Sequence, residues 1–126
     1  MSATLTRQLE DRVRRELPSL DEAQAQELAS MLERLVEAFE PECIFVFGSQ
    51  ARRAATPDSD VDVLVVIPHS DEPRYRRGQA AYGVIGAHNI PIDILIVTRA
   101  EFNSLRDVPS SRSATVLREG KSLYAA

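Results

Sequence analysis

Apolar residues recur every four positions at the start of the chain. Leu5, Leu9, Val13 and Leu17 share one face of a helix that Pro18 interrupts. Ser19 followed by Glu22 has capping-box spacing, and Leu28, Leu32, Leu35 and Phe39 then form the stripe of a second helix that must end near Pro41. Beyond Pro41 the pattern changes. "CIFVF" (43–47), "VDVLVVI" (61–67) and "IPIDILIV" (90–97) are short apolar runs, as expected of strands covered on both faces. "SQARRAA", directly after the first strand, resembles the opening turns of a helix. Pro73 sits where a first helical turn accepts it, which predicts a helix to about residue 88, weakened by Gly78, Gly83 and Gly86. A short helix is predicted over 99–106. Ser110 or Ser111 would cap a last one through Glu119, with Gly120 as its stop. The expected fold class is α/β: a small mixed β-sheet with flanking helices and an N-terminal helical pair, forming one domain over 1–126, with helices in 1–40 and the α/β core in 41–126.

Composition narrows the class. A chain of 126 residues with 44% hydrophobic and 27% charged residues matches one soluble globular domain. No apolar run approaches the ~20 residues needed to span a bilayer, and the amino terminus lacks the apolar stretch of a signal peptide. The expected location is the cytoplasm, with no membrane partner. Cys43 has no second cysteine to pair with and no Cys or His at metal-ligand spacing, so it reads as a buried thiol. The net charge of −4 is uneven, since residues 1–40 hold five arginines against nine acids and the rest hold ten of each sign. An acidic total argues against non-specific binding to nucleic acid, although a nucleotide held through magnesium is compatible with it. "RYRR" (74–77) reads as a solvated helix face, and His69 and His88 as surface residues.

The stretch "FGSQARRAATPDSDVDVLVV" (47–66) carries the chemistry. Residues i and i+2 of a strand point to the same side, so Asp60 and Asp62 share a face at the start of the second apolar run. Two carboxylates held that close repel each other, and a cation between them relieves the cost. Magnesium fits, because it takes oxygen ligands and binds through one or two carboxylates together with nucleotide phosphates. Gly48 lets the chain approach a ligand closely, and Ser49 opens a helix whose free amides face outward, so phosphate oxygens fit there, with Arg52 one turn on as a further contact. Asp93 breaks the third apolar run as abruptly as the first two acids break theirs. If that strand lies beside 61–67, the three acids converge. Three acids and a phosphate cradle suit two divalent ions at an in-line displacement at phosphorus.

The segment Gly48-Ser49, ten residues, Asp60-Val61-Asp62 has the GSx10DxD spacing of the DNA polymerase β-like nucleotidyltransferase superfamily, and the chain resembles its minimal prokaryotic branch. That branch includes the MNT antitoxins encoded beside HEPN toxins. "LREGKSLY" near the end is also similar to family members, and Arg53 stands where many relatives have glycine. The resemblance implies that Gly48 and Ser49 hold the triphosphate. Asp60 and Asp62 would hold two Mg2+ ions, with Asp93 as the third carboxylate near the attacking hydroxyl. It further implies ATP as substrate and AMP transfer to a tyrosine of a cognate HEPN toxin, in a hetero-oligomer.

Blander readings exist for each part. Asp58, Asp60 and Asp62 have the spacing that opens a calcium loop, but Val63 and His69 stand where that loop needs glycine and glutamate. Gly-Ser after a strand is by itself a turn, and Asp-x-Asp is common at strand ends. Two function classes follow: a nucleotidyltransferase that borrows its acceptor from a partner, and a non-catalytic module of the same fold that neutralises a partner by occlusion. Three costly carboxylates favour the first.

Overall fold

The apolar runs pair into one sheet with a helical layer on each face. A computed structural model of the chain describes residues 3–48 and 60–126. In chain order the elements are α1 (Ala3–Glu16), α2 (Glu22–Phe39), β1 (Cys43–Phe47), β2 (Val61–Ile67), α3 (Arg74–Ile85), β3 (Ile92–Thr98), α4 (Arg99–Leu105), α5 (Arg112–Glu119) and β4 (Lys121–Ala125). The strand order is β3-β2-β1-β4. β1 runs antiparallel to both of its neighbours, while β2 and β3 are parallel. A parallel pair needs a crossover, and α3 supplies it.

Alternation along the strands sorts the core into two layers. Ile44, Val46, Val61, Val63, Val65, Ile94 and Ile96 face the larger one, where Leu9 and Val13 of α1, Leu28, Leu32 and Leu35 of α2, and Ile85 of α3 pack against them. Cys43, Phe47, Leu64, Val66 and Val97 face the smaller layer under Phe102 of α4 and Val116 of α5. Burial on both faces explains why these strands read as continuous apolar runs rather than alternating ones. Among the described residues, no helix is long and apolar enough to cross a membrane.

Several local expectations are corrected. The cap of α2 is Asp21, which accepts from the Gln24 amide at 2.8 Å while Gln24 accepts from the Asp21 amide at 2.9 Å; Ser19 and Glu22 do not form it. α3 stops at Ile85, because Gly86 turns the chain with φ +69°. Pro73 is its N-cap rather than a residue of its first turn. β3 begins at Ile92, not residue 90. Thr98 caps α4 and Ser111 caps α5. The segment after Gly120 forms a strand that the sequence reading lacked, and it places β4 beside β1.

Within "RYRR", Arg74, Tyr75 and Arg76 are exposed as expected, and Arg77 is not. It is 6% exposed, donates to both oxygens of Glu101 at 2.7 and 3.1 Å, and donates to the carbonyls of Glu72 and Ile96 at 2.9 and 3.0 Å. One buried guanidinium thereby joins α3, β3 and α4. Two residues of α2 fix the connection from α3 to β3. Arg34 donates to the Ile85 carbonyl at 2.6 Å, and Glu27 accepts from the amide of Ile90 at 2.9 Å.

Candidate active site

Asp62 and Asp93 are each the second residue of a strand, and they are register partners across the parallel β2–β3 pair. Adjacent strands lie about 4.8 Å apart, and residues in register point to the same face, so the two carboxylates emerge side by side. That face is the one carrying the smaller core. Two residues further along, Leu64 is fully buried and Leu95 half-buried, so the layer under α4 and α5 closes only beyond the acids. Asp62 is half-buried and Asp93 exposed at the open end. The convergence expected of these two acids is therefore realised by pairing.

Asp60 precedes the ladder. β2 begins at Val61, whose amide donates to the Pro91 carbonyl at 2.9 Å, and Asp60 is exposed just outside it. Among the described residues, no group of three or more His, Cys, Asp or Glu is gathered closely enough to hold a metal ion. The structure thus brings Asp62 and Asp93 together and leaves Asp60 at the rim.

Gly48 joins the pair from the other side. Phe47 is the register partner of Asp62, and Gly48 follows with φ +72°. A β-carbon at residue 48 would stand 2.3 Å from Asp62 Oδ2, closer than any side chain tolerates. The absence of a side chain there gives the Asp62 carboxylate its room. Ser49 and Arg52, the other residues expected at the phosphates, lie outside the described residues. The donor set consists of carboxylate oxygens, the kind magnesium takes in preference to softer ligands.

A cavity of about 590 Å³ opens beside Asp93, lined by residues of β2 and β3 and of the segment from α4 to α5. Leu64, Leu95, Val97 and Leu105 line it together with Ser110, Ser111 and Ser113, and Arg74 shares its wall with Asp93. Tyr82 holds the strand from outside. Its hydroxyl donates to the Ile92 carbonyl at 3.3 Å and accepts from the Ile94 amide at 3.0 Å, bracketing Asp93. Neither Arg74 nor Tyr82 was expected at the site. Tyr82 leaves no local signature, because its role exists only once α3 lies along the edge of β3.

Residues 28–121 match the family described as Nucleotidyltransferase domain. That span contains Gly48, Asp60, Asp62 and Asp93. Among solved structures, a candidate nucleotidyltransferase from Sulfolobus solfataricus is similar with TM-score 0.58 and 16% identity, over 94% of this chain and 87% of that one. A toxin-antitoxin structure with AMP-PNP is similar at TM-score 0.48 and 19% identity, over 77% of this chain and 72% of that one, too loosely to bear on fold or function. No curated protein matches the chain.

Proposed function

The chain belongs to the nucleotidyltransferase domain family, and from that premise we propose that it transfers a nucleoside monophosphate, AMP in the first instance, from a nucleoside triphosphate to an acceptor hydroxyl. The observation that carries this reading is the register pairing of Asp62 with Asp93 at the open end of the sheet, with Gly48 against Asp62. In the reaction the acceptor oxygen forms a bond to the α-phosphorus while the bond from that phosphorus to the bridging oxygen of pyrophosphate breaks. Asp93 takes the hydroxyl proton, as a general base within reach of the attacking group does. Gly48 and Ser49 hold the phosphate chain, with Arg52 as a further contact. Asp60, Asp62 and Asp93 would hold Mg2+, which supplies charge neutralisation at the phosphate oxygens.

The acceptor in this proposal is a tyrosine of a partner protein, a HEPN-type toxin, as the GSx10DxD resemblance implies. Transfer would then be the antitoxin activity. The test combines binding with labelling. Mg-ATP at a hundredfold excess over its Kd should stabilise the fold by about 2.7 kcal/mol. α-labelled ATP with magnesium and a purified HEPN toxin should leave label on a toxin tyrosine. A melting temperature unmoved by millimolar Mg-ATP, together with no label on the toxin, would overturn the proposal. Neutralisation of the toxin without label, equally strong in Asp62→Asn, would mean occlusion instead.

A further inference from the structure

Ser113 is 3% exposed, yet its hydroxyl forms no hydrogen bond among the described residues. No fully enclosed side-chain nitrogen or oxygen of those residues lacks a partner, so this hydroxyl must be reached from outside, and the opening it lines is the cavity beside Asp93. A hydroxyl held that far from water without a partner costs free energy, which a ligand accepting from it would recover.

More donors end at the same wall. Ser111 caps α5: its hydroxyl accepts from the Ala114 amide at 3.1 Å and donates to the Leu105 carbonyl, while its own carbonyl accepts from the Thr115 amide at 3.1 Å. That leaves the amides of Arg112 and Ser113, the first two of the helix, without a partner among the described residues. Such amides point out of the helix end and carry the positive end of its dipole, and Ser110, Ser111 and Ser113 put that end on the cavity. Arg74 lines the cavity too and forms no ion pair among the described residues, because Glu101 is already held by Arg77. Asp93 opposes an anion here. The cavity is long enough to keep the two apart, since Leu95 and Val97 line it up to four residues beyond Asp93, about 13 Å of strand.

We propose that the N-terminus of α5, with the Ser113 hydroxyl and Arg74, binds a phosphate group directly, without a metal, and at the same time as a nucleotide on Gly48 and Asp62. Two amides, a hydroxyl and a guanidinium are all donors. A phosphate, with three terminal oxygens and a charge near −2, uses such a set more fully than a carboxylate does. The occupant is free phosphate or the monoester of a small organic molecule, for which a cavity of about 590 Å³ with leucine and valine in its lining leaves room. This site stands whether or not the chain transfers a nucleotide.

The test is an amide NMR titration of the full chain with inorganic phosphate, without divalent ions, at about 0.15 M salt, where distant exposed charges are screened. It is repeated with adenosine 5′-monophosphate, and again with magnesium and a saturating non-hydrolysable ATP analogue present. The amides of Arg112 and Ser113 should shift together and saturate with a Kd of about 1 mM or tighter. Arg74→Gln and Ser113→Ala should each weaken that binding at least about fivefold, as the loss of a charge-assisted or hydroxyl contact does. Arg76→Gln, whose side chain lines a different cavity, should leave it unchanged. A monoester that binds about tenfold tighter than phosphate, or more, assigns the site to a larger phosphorylated molecule, and any smaller gain assigns it to the free anion. Amides that do not respond, or a response equally strong in Arg74→Gln and Ser113→Ala, overturn the proposal. So does loss of phosphate binding in the presence of the Mg-nucleotide analogue, which would make these donors part of the nucleotide's own site. A parent that binds phosphate but no Mg-nucleotide would overturn the transfer reading and leave this site standing.

Discussion

A β-carbon added to Gly48 would stand 2.3 Å from Asp62 Oδ2, so the residue that follows β1 and the carboxylate on β2 compete for the same space. Gly48→Ala should therefore fail twice. Its φ of +72° costs an L-residue about 1–2 kcal/mol, and the Asp62 carboxylate must turn away. Mg-ATP affinity by calorimetry should fall at least about tenfold, beyond what the stability loss alone accounts for. Gly78→Ala is the control, since a β-carbon there meets nothing within 4 Å. In the interior of α3 it should stabilise the fold by about 0.5–1 kcal/mol and leave binding unchanged. Normal Mg-ATP affinity in Gly48→Ala would show that Asp62 has no part in holding the nucleotide.

Gly48 lies against Asp62, while Asp93 lines the cavity, so substitutions of the acids should separate. Asp60→Asn and Asp62→Asn are expected to weaken Mg-ATP binding and transfer together. Asp93→Asn should leave Mg-ATP affinity within a few-fold and cut transfer by roughly 10²-fold or more, the loss expected when a general base is removed. Calorimetry beside a labelled-nucleotide assay on all three variants reads the split. Full transfer in Asp93→Asn removes that residue from the reaction, and full transfer in Asp62→Asn removes the metal site.

The strands that build the site were legible because both of their faces are buried, which turns them into apolar runs that an aspartate visibly interrupts. Asp62 and Asp93 could be picked out for that reason, and parallel pairing then made them neighbours. β4 gave no such signal, since only Leu123 of its five residues is fully buried and lysine and serine occupy its start. Arg77 was misread because arginine usually marks solvent, although Arg77, Ala81 and Ile85 at four-residue spacing form the buried face of α3. Gly120 was read as a helix stop, and so it is, but by a different cause. Its backbone is extended, and a β-carbon there would lie 2.5 Å from the Val116 carbonyl oxygen.

The Arg77–Glu101 pair sets an acid limb on stability. Hydrogen bonding from Arg77, aided by the Thr98 amide, holds the Glu101 carboxyl at about 2 against its ordinary 4.5. A folded-state value below the unfolded one stabilises the ionised form. That contribution is complete above about pH 4.5 and is lost as the pH falls toward 2. Glu101→Gln should lower stability at pH 7 by about 2 kcal/mol, the scale of a hydrogen bond to a charged group. Its stability should then fall less steeply than the parent's between pH 4.5 and 2. Urea midpoints measured across that range decide it, and parallel curves for the two proteins would mean that Glu101 titrates normally.

Tyr82 supplies the last contrast, between holding the fold and aiming one carboxylate. Its hydroxyl stands where a further strand would pair, accepting from the Ile94 amide and donating to the Ile92 carbonyl on either side of Asp93. Tyr82→Phe keeps the ring and removes only those two bonds. The expected stability loss is about 1 kcal/mol, the net worth of a neutral hydrogen bond. If the bracket also aims Asp93, transfer should fall several-fold while Mg-ATP affinity stays at the parent value, because Asp62 belongs to β2 and Gly48 follows β1. These readouts separate aiming from general loosening, which would weaken nucleotide binding and transfer alike. Parent-like transfer in Tyr82→Phe would confine Tyr82 to covering the edge of β3.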